Sequence, residues 1–318
     1  MQAPKTKPVL VIGGPTASGK SGLALAAAEA FGGTIINADS MQVYAELSIL
    51  TARPSAADEA RAPHRLFGIL PASEACSAAR WQGLAVAEME AAWCQGRLPI
   101  LTGGTGFYIR ALTEGLSEIP PVPAEVRAEV QELRAEIGEA AFHARLADVD
   151  AVAGRRLPPG DRQRVLRAFE VYLATGRTLT DWHAGAPVTP VPGARYLTIV
   201  LDPPRQVLNA ASDARFDAMM AAGALDEAAA LKALHLDPAL PAMKALGVPE
   251  LIAHLAGELP LAEAIAAAKR ATRQFAKRQQ SWFRNQIEPE TRVDAQYSES
   301  LQQEIFPKIR EFLLTTQN

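Results

Sequence analysis

A glycine-rich segment near the N terminus constrains the fold more than any other part of the chain. Residues 9–12 form a short apolar run with β-branched members, which is typical of a buried strand. The pattern Gly14-x-x-x-x-Gly19-Lys20-Ser21 follows, and residues 23–31 form an alanine-rich run of helical composition. A strand, a glycine-rich loop and a helix in this order predict a P-loop, a backbone cradle for phosphate groups.

The residue types of this loop suit a di- or triphosphate. Glycines let the backbone curl so that successive N–H groups point at phosphate oxygens, and the helix N terminus adds partial positive charge. Lys20 would bring a full charge to the terminal phosphate, and the hydroxyl of Ser21 is placed to bind Mg²⁺. By motif alone, the loop is also typical of ATP binding. The predicted phosphate-binding residues are Gly14, Pro15, Thr16, Ala17, Ser18, Gly19, Lys20 and Ser21.

Composition narrows the class of protein. The 318 residues are 48% hydrophobic and 21% charged, which is typical of a globular protein that can bury a large core. No apolar run is long enough to span a membrane, and the N-terminal segment lacks the apolar core of a signal peptide. Cys76 and Cys94 have no metal-type spacing, so we expect buried, reduced thiols in a cytoplasmic protein. We expect a monomer and no membrane partner.

Strand-like and helix-like runs alternate through most of the chain. Residues 34–38, 98–102 and 195–201 are typical of strands, and residues 64–70 of a short one. Helical spacing marks residues 77–95, 107–112, 212–222, 225–234 and 261–286. This alternation predicts an α/β fold, a P-loop NTPase-like parallel sheet flanked by helices.

Two proline clusters enclose a segment with a different pattern. Between them the chain shows only helical periodicity, so we predict an all-helical insertion domain over residues 118–194. The core would then consist of residues 1–117 and 195–318, the latter ending in basic helices. The helical runs of the insertion cover residues 124–137, 139–146 and 161–174. The prolines are Pro120, Pro121 and Pro123 at the start, and Pro187, Pro190 and Pro192 at the end.

Three loops should meet at one edge of the predicted sheet. Ligands of open parallel sheets bind beyond the carboxyl ends of the strands. The P-loop, Asp39-Ser40 and residues 103–106 each follow such an end. This would place the carboxylate of Asp39 and the hydroxyl of Thr105 opposite the phosphate cradle. An Asp-Ser pair is equally typical of a cap on the following turn, so that alternative stays open.

Two basic tracts stand out in a chain of net charge −3. At about 100° per residue, the helix predicted over residues 261–286 has a basic stripe separate from an apolar stripe. No acidic residue lies between Lys269 and Arg284, which favours a face that docks a polyanion, although a solvated surface helix has the same charges. The basic stripe comprises Arg270, Arg273, Lys277, Ser281 and Arg284, the apolar stripe Ala271, Phe275 and Trp282, and the second tract Arg155, Arg156, Arg162, Arg164 and Arg167.

Two parts of a phosphoryl-transfer enzyme are missing from the sequence. The strand at residues 98–102 ends in Thr102-Gly103, without the carboxylate that would bind the metal of a nucleotide. No compact arginine-rich lid is visible either. These absences weaken the interpretation of the P-loop as a kinase site.

Six blocks of sequence are distinctive when taken together. They are Gly14-Pro-Thr-Ala-Ser-Gly-Lys-Ser21, Asn37-Ala-Asp-Ser-Met-Gln-Val-Tyr44, Thr51-Ala-Arg-Pro54, Pro63-His64, Gly103-Gly-Thr-Gly-Phe-Tyr108 and Arg273-Gln-Phe-Ala-Lys-Arg-Gln279. In this order, over residues 8–288, they resemble the bacterial tRNA dimethylallyltransferase (tRNA isopentenyltransferase, or IPP transferase) family. The resemblance implies transfer of a dimethylallyl group from dimethylallyl diphosphate to N6 of adenosine-37, just 3′ to the anticodon, with release of diphosphate. It implies Mg²⁺ as cofactor and the tRNA anticodon stem-loop as partner.

The resemblance also implies roles for individual residues. Asp39 would accept the proton from N6, Arg215 would contact the diphosphate, and Thr105 would hydrogen-bond near the substrate or the base. The P-loop would hold the diphosphate of a prenyl donor rather than a nucleotide, with Mg²⁺ at Ser21. The residues implied to contact tRNA are Asp39, Ser40, Met41, Gln42, Thr105, Arg127, Gln163, Arg164, Val165, Leu166, Arg167, Lys277, Arg278 and Gln279.

Two positions depart from the pattern of this family. Ala211 stands where a second arginine is common, one helical turn before Arg215. Gly247-Val-Pro249 replaces a sequence of the Gly-Tyr-Lys type. Any role of the missing arginine is therefore lost or shared, and a tRNA contact at residues 247–249 is in doubt.

Three other functions remain open from the sequence. One is a small-molecule kinase that uses ATP at the P-loop, and another is an adenylate isopentenyltransferase that prenylates a free nucleotide. The basic helix and the insertion argue against the latter, because AMP needs no surface of that extent. The third is a tRNA-binding protein with an inactive P-loop, against which the intact Lys20, Ser21 and Asp39 argue.

Overall fold

The computed structural model describes residues 6–185, 187–188 and 190–317. The chain divides into two compact units, which we call the sheet unit and the helical unit. The sheet unit comprises Met1–Thr113 and Pro190–Asn318, and the helical unit comprises Glu114–Thr189. The limits predicted from the proline clusters, 118 and 194, lie a few residues further along the chain.

The sheet unit is built on one six-stranded sheet. Its strands are β1 (Lys7–Gly13), β2 (Gly33–Asn37), β3 (His64–Arg65), β4 (Leu98–Gly103), β5 (Ala194–Leu201) and β6 (Thr291–Val293). Their order is β3-β2-β4-β1-β5-β6, and every pairing is parallel. In the centre, Leu10 of β1 lies opposite Ile100 of β4 and Leu197 of β5. The parallel α/β class predicted from the sequence is therefore confirmed.

Helices make up most of the remaining chain. They are α1 (Lys20–Phe31), α2 (Ala56–Arg61), α3 (Ala78–Cys94), α4 (Gly106–Thr113), α5 (Ala124–Val149), α6 (Ala151–Arg156), α7 (Arg162–Thr175), α8 (Leu179–Ala184), α9 (Arg205–Ala221), α10 (Ala224–Ala233), α11 (Val248–Leu255), α12 (Leu261–Gln286) and α13 (Gln302–Gln317). Helix α1 begins at Lys20 because Gly19 before it has φ 84°, outside the helical region. Helices α5 to α8 belong to the helical unit.

Apolar side chains cover both faces of the sheet. Along β1, Val9 and Val11 belong to one buried cluster, and Leu10 and Ile12 belong to another. This alternation follows from the two-residue period of a strand, and burial on both faces explains why the run is continuously apolar. The strands are therefore fixed from both sides, so the loops at their carboxyl ends start from a rigid base.

The helical unit has an apolar core of its own. Val130, Phe142, Leu146 and Phe169 are buried in a single cluster from α5 and α7. Helix α5 joins the two runs predicted before and after residue 138, since Gly138 has φ 80° and interrupts the helical backbone there.

Some local expectations were wrong. Only His64–Arg65 of the strand expected over residues 64–70 pairs with the sheet, because the backbone turns at Leu66, where φ is 65°. Cys94 is exposed and Cys76 half-buried, since Cys94 lies on the outer face at the last turn of α3. Both thiols are free.

The polar segment after Glu288 shows no clear pattern in the sequence, yet it adds a strand and a long helix to the sheet unit. Strand β6 pairs with β5, and α13 buries Ile305 and Ile309 among the residues below the sheet's second face. The C-terminal segment is therefore part of the fold of the sheet unit.

Candidate active site

The predicted P-loop lies between β1 and α1. Gly14 has φ 152°, and a Cβ there would lie 2.6 Å from the carbonyl oxygen of Leu201. Ala17 has φ 64°, a conformation that is uncommon for a residue with a side chain. The hydroxyl of Ser18 is buried and has no hydrogen-bond partner in the described part of the chain. The loop therefore has the tight backbone that phosphate cradles require.

The C-terminal segment supports the outer side of this loop. The backbone N–H of Tyr297 donates to the carbonyl of Ser18 at 3.0 Å, and the Gln296 side chain donates to the carbonyl of Ala17 at 2.9 Å. A Cβ on Gly19 would lie 2.7 Å from the Cβ of Tyr297. No motif in the sequence indicated this support, because its partners are far apart along the chain.

Three charged side chains act on one another beside the loop. Burial lowers the pKa of Lys20 to about 8, the charge of Asp39 works in the opposite direction, and the charge of Arg215 adds to the lowering. Burial also lowers the pKa of the Arg215 guanidinium, again against the effect of Asp39. The structure thus brings together the lysine, the carboxylate and the arginine that the sequence singled out.

Asp39 sits in a turn organised by Asn37. The side chain of Asn37 accepts from the N–H of Asp39 at 2.8 Å and donates to the carbonyls of Asp39 and Leu66, each at 3.0 Å. The Asp39 Oδ1 atom accepts from the N–H of Met41 at 3.0 Å, so the turn-capping alternative describes one of its oxygens. The described residues give Oδ2 no hydrogen bond. An asparagine two residues before the aspartate was a usable sequence signal for this turn.

Thr105 lies beside the same turn. Its hydroxyl accepts from the N–H of Ser40 at 2.9 Å and donates to the Ser40 hydroxyl at 3.2 Å, and its own N–H donates to the carbonyl of Ala38 at 3.2 Å. The loops after β2 and β4 are therefore joined by three hydrogen bonds. Thr105 contacts the residues on both sides of Asp39 rather than its carboxylate.

Arg215 reaches the P-loop from α9, where its guanidinium donates to the hydroxyl of Thr16. Gln279 reaches the loop from α12, where its side-chain oxygen accepts from the N–H of Thr16 at 2.8 Å. Two helices that are distant in sequence thus hold one residue of the loop.

Helix α12 differs from the expected division into basic and apolar stripes. Its buried residues include Thr272, Ala276, Gln279, Gln280 and Phe283, whereas Phe275 and Trp282 are only partly buried. Gln279, expected to contact tRNA, is only 6% exposed. Periodicity defines the faces of a helix but not which face packs inward, so the sequence pattern chose the wrong stripe.

Several basic residues of α12 have acidic partners from other elements. Ion pairs join Arg273 to Asp213 at 2.7 Å, Lys269 to Asp217 at 2.6 Å and Arg284 to Asp202 at 2.7 Å. The absence of acidic residues between Lys269 and Arg284 did not reveal these pairs, because the acidic partners lie in other elements. By contrast, Lys277 and Arg278 are exposed, and no carboxylate of the described residues pairs with either.

In the helical unit, Arg127, Gln163 and Arg164 are exposed, while Leu166 and Arg167 are partly buried. Val165, also expected to contact tRNA, is 3% exposed and packs in the core of the unit, so it presents no free surface. Burial lowers the pKa of Arg167, with the charge of Glu170 opposing and that of Arg127 adding to the effect. The second basic tract is partly paired, since Arg162 lies 3.1 Å from Glu139, Arg164 lies 3.3 Å from Asp161 and Arg167 lies 3.8 Å from Glu170.

The structure shows where the two positions that depart from the family pattern lie. Gly247, which both patterns share, precedes α11 with φ 88°, a conformation that favours glycine. The departure is in the next two residues: Val248 is buried, and Pro249 is exposed in the first turn of α11. Ala211 lies on α9, one turn before Arg215, and is partly exposed.

A cavity beside the P-loop offers oxygen atoms that could bind a hard cation as ligands. Its lining includes Lys20, Ser21, Gln42, His64 and Thr102. The Thr102 hydroxyl is buried without a hydrogen-bond partner in the described residues, and Ser21 is an exposed residue. The described residues contain no group of three His, Cys, Asp or Glu that could hold a metal. These donors fit Mg²⁺ that is bound mainly through substrate phosphates and water.

Gln42 lies at the rim of this cavity, where its side chain donates to the carbonyls of Thr51 and Ala52 at 2.8 and 2.9 Å. Ser40 and Met41 are partly exposed.

Among the described residues, no helix is both long enough and apolar enough to cross a membrane.

The fold and the site define a parallel α/β protein in which a P-loop faces a carboxylate and a half-buried arginine. The chain belongs to the IPP transferase family, whose model matches residues 42–286, and the isopentenyl transferase model matches residues 7–69.

Named relatives and a solved structure agree with this membership. The tRNA dimethylallyltransferase of Rhodospirillum centenum is 60% identical over 92% of this chain and 93% of its own length. That of Paramagnetospirillum magneticum is 56% identical over 97% of this chain and 98% of its own. The tRNA isopentenylpyrophosphate transferase structure from Bacillus halodurans has a TM-score of 0.71 and 31% identity, covering 98% of each chain. The P-loop NTPase-like fold expected from the sequence is thereby confirmed.

Proposed function

We propose that this chain transfers a dimethylallyl group from dimethylallyl diphosphate to N6 of adenosine-37, the nucleotide 3′ to the anticodon of tRNA. Relatives named tRNA dimethylallyltransferase, at 60% and 56% identity, support this reaction. The observation that carries it is the arrangement of Asp39 beside a P-loop in which Lys20 and Arg215 supply positive charge. Asp39 is placed to act as the base towards the nucleophile, and the positive charges of Lys20 and Arg215 suit an anionic leaving group.

The leaving group is diphosphate, and the P-loop is its cradle. As the allylic C1–O bond breaks, its electron pair goes to the diphosphate oxygen, where negative charge grows. The backbone N–H groups of Gly19, Lys20 and Ser21 at the start of α1, the ammonium of Lys20 and the guanidinium of Arg215 stabilise that charge. Because these groups are fixed before the reaction, they reorganise little as the charge develops.

The adenine N6 amine supplies the electron pair of the new N–C1 bond. This amine is a poor nucleophile because its lone pair is delocalised into the ring, so loss of its proton assists the attack. The Oδ2 atom of Asp39 takes that proton, since Oδ1 already accepts the N–H of Met41. Such general-base assistance typically contributes about 10²- to 10⁴-fold.

Thr105 serves the reaction by holding the turn that carries the base. Its hydroxyl and N–H bond to Ser40 and Ala38, the two neighbours of Asp39. We therefore assign it a positioning role next to the adenine.

Mg²⁺ fits the reaction as a companion of the diphosphate. Ser21 would bind the cation through its hydroxyl oxygen. The hydroxyl of Thr102, which has no hydrogen-bond partner in the described residues, would form a hydrogen bond to a water in the same cavity. Bound there, the cation would neutralise charge on the diphosphate. Lys20 and the loop N–H groups hold the same phosphates independently.

The tRNA anticodon stem-loop is the second substrate. The enzyme must take the target base out of its stack to reach N6. Ser40, Met41 and Gln42 would meet the base from the turn beside Asp39, and Lys277 and Arg278 would meet backbone phosphates, which fix position more than sequence. In the helical unit, we propose contacts from the exposed residues Arg127, Gln163 and Arg164, with the partly buried Leu166 and Arg167. We place the reaction in the cytoplasm, where bacterial tRNA is modified.

Mass spectrometry of undermodified tRNA tests the proposal. With the protein, Mg²⁺ and dimethylallyl diphosphate, we expect adenosine-37 to gain one dimethylallyl group. Asp39→Asn keeps the size of the side chain and should lower kcat by about 10²- to 10⁴-fold while the Kd for tRNA stays within about twofold. Transfer of phosphate from ATP without prenylation, or a normal kcat in Asp39→Asn, would contradict the proposal.

A further inference from the structure

Gln279 joins two loops of the candidate active site through one buried amide. Its Oε1 atom accepts from the N–H of Thr16 at 2.8 Å, and its Nε2 atom donates to the carbonyl of Gly104 at 2.8 Å. The side chain is 6% exposed, so water offers little replacement for either bond. The two partners fix the orientation of the amide, because an N–H must face the oxygen and a carbonyl must face the nitrogen.

The two partners belong to the parts that must cooperate in the proposed reaction. Thr16 lies in the P-loop, and its hydroxyl accepts the bond from Arg215. Gly104 directly precedes Thr105, which holds the turn of Asp39. One side chain of α12 thus links the diphosphate cradle to the base.

A glycine is needed for this link. A Cβ on Gly104 would lie 2.1 Å from the Nε2 atom of Gln279 and 3.5 Å from the Oδ2 atom of Asp39. The amide therefore approaches the backbone as closely as it does only because residue 104 has no side chain. The same position lies within contact distance of the free oxygen of the base, so the link is immediately beside the reacting group.

We infer that Gln279 is a positioning residue that sets the distance between the P-loop and Asp39. This inference rests on the proposed function. Attack by N6 on C1 requires reacting atoms about 3–3.5 Å apart, so a shift of one loop against the other would misplace the amine relative to the leaving group. Supporting hydrogen bonds of this kind hold a site within roughly 0.5 Å of its productive geometry. The role differs from the tRNA contact that the family resemblance implied for Gln279.

Gln280 is a matched control on the same helix. It is also 6% exposed, and its Nε2 atom donates to the Asp202 carboxylate at 2.7 Å and to the Pro203 carbonyl at 3.0 Å. It therefore has the same residue type, burial and number of hydrogen bonds. Its partners follow β5 and belong neither to the P-loop nor to the loops of Asp39 and Thr105.

The experiment compares Gln279→Met with Gln280→Met, since methionine conserves most of the volume and makes neither amide bond. Calorimetry measures the Kd for inorganic pyrophosphate, single-turnover kinetics measures transfer to tRNA, and a filter assay measures the Kd for tRNA. For Gln279→Met we expect the pyrophosphate Kd to rise about tenfold and the transfer rate to fall at least as much, with tRNA affinity within about twofold. Gln280→Met should change none of these beyond about twofold, although its loss of thermal stability should be at least as large, because one of its bonds is to a carboxylate.

Two outcomes would overturn the inference: equal pyrophosphate affinities and transfer rates in the two variants, or weaker tRNA binding by Gln279→Met with unchanged pyrophosphate affinity. If wild-type protein binds pyrophosphate but does not prenylate tRNA, the proposed function fails, while the pyrophosphate comparison still tests the link between the loops.

A measurement on the wild-type protein covers the case in which Gln279→Met does not fold. We expect the amide hydrogen of Thr16 to exchange slowly with solvent when no ligand is bound, because it is bonded to the buried Gln279 side chain. Exchange at the rate of an exposed loop amide would overturn the inference.

Discussion

The guanidinium of Arg215 donates a hydrogen bond to the hydroxyl of Thr16, although the two residues are 199 positions apart in the chain. Among the described residues, this neutral hydroxyl is the one hydrogen-bond partner of the Arg215 side chain. Burial lowers the pKa of the guanidinium, and the charge of Asp39 opposes that effect. Arg215 is thus a half-buried cation beside a P-loop, and its remaining N–H groups are suited to bind an anion.

Replacement of Arg215 by alanine should weaken anion binding at the P-loop. Loss of charge-assisted hydrogen bonds predicts a pyrophosphate Kd that is roughly 10- to 100-fold higher, measured by calorimetry. Arg205→Ala is the control, since Arg205 is an exposed arginine at the start of the same helix. The assignment of Arg215 to the diphosphate fails if both variants bind pyrophosphate like the wild type.

The affinity for pyrophosphate should fall as the pH rises above about 8, the pKa to which burial lowers Lys20. Below that pH, Lys20 is already charged, so binding takes up no proton at this site. Above it, the neutral amine must gain a proton to pair with the phosphate, which lowers the apparent affinity by up to about tenfold per pH unit.

Lys20→Met separates this effect from the titration of pyrophosphate itself. Calorimetry at pH 7 and pH 9, in buffers of different ionisation enthalpy, should show more proton uptake at the higher pH in the wild type than in the variant. Equal proton uptake by the two proteins would show that Lys20 is not the titrating group.

The two kinds of basic residue on α12 should respond differently in a tRNA binding assay. Lys277 and Arg278 are exposed and have no ion pair within the described part of the chain, whereas Arg273 bonds to both oxygens of Asp213 at 2.7 Å. Lys277→Ala or Arg278→Ala should raise the Kd and reduce the slope of log K against log salt by roughly 0.7–0.9. Arg273→Ala should leave that slope unchanged. If Arg273→Ala reduced the slope and the variants of Lys277 and Arg278 did not, the exposed pair would not be a docking site for tRNA.

Glu227 should stabilise the loop that follows Asp39. Its carboxylate accepts from the N–H groups of Ser48, Ile49 and Leu50, each at 2.8 Å, and from the Ser48 hydroxyl at 3.0 Å. Glu227→Ala removes these charge-assisted bonds and should lower the free energy of unfolding by about 2 kcal/mol in urea denaturation. The neighbouring exposed carboxylate offers a control, for which Asp226→Ala should cost about 0.5 kcal/mol. Equal losses would show that the carboxylate does not hold the loop.

The sequence by itself determined the P-loop, the strands before it and after it, and the position of Asp39 and Thr105 at strand ends. These features depend on neighbouring residues: glycine where the backbone must turn, β-branched residues where both faces are buried, and a fixed edge where parallel strands end. Two of the three loops predicted to meet are joined by bonds of Thr105 to Ser40 and Ala38. The third, the P-loop, is linked to Gly104 through the side chain of Gln279. The distinctive blocks also identified the family.

Only the tertiary structure decided which side of α12 faces inward and what its charges contact. Helical period fixes the angle between Gln279 and Lys277, but burial depends on the elements packed against the helix. Asp213 and Asp202, which pair with Arg273 and Arg284, come from α9 and the end of β5. The same reason hid the support of the P-loop by Tyr297 and its link through Gln279, since hydrogen bonds between distant segments leave no local pattern in a sequence.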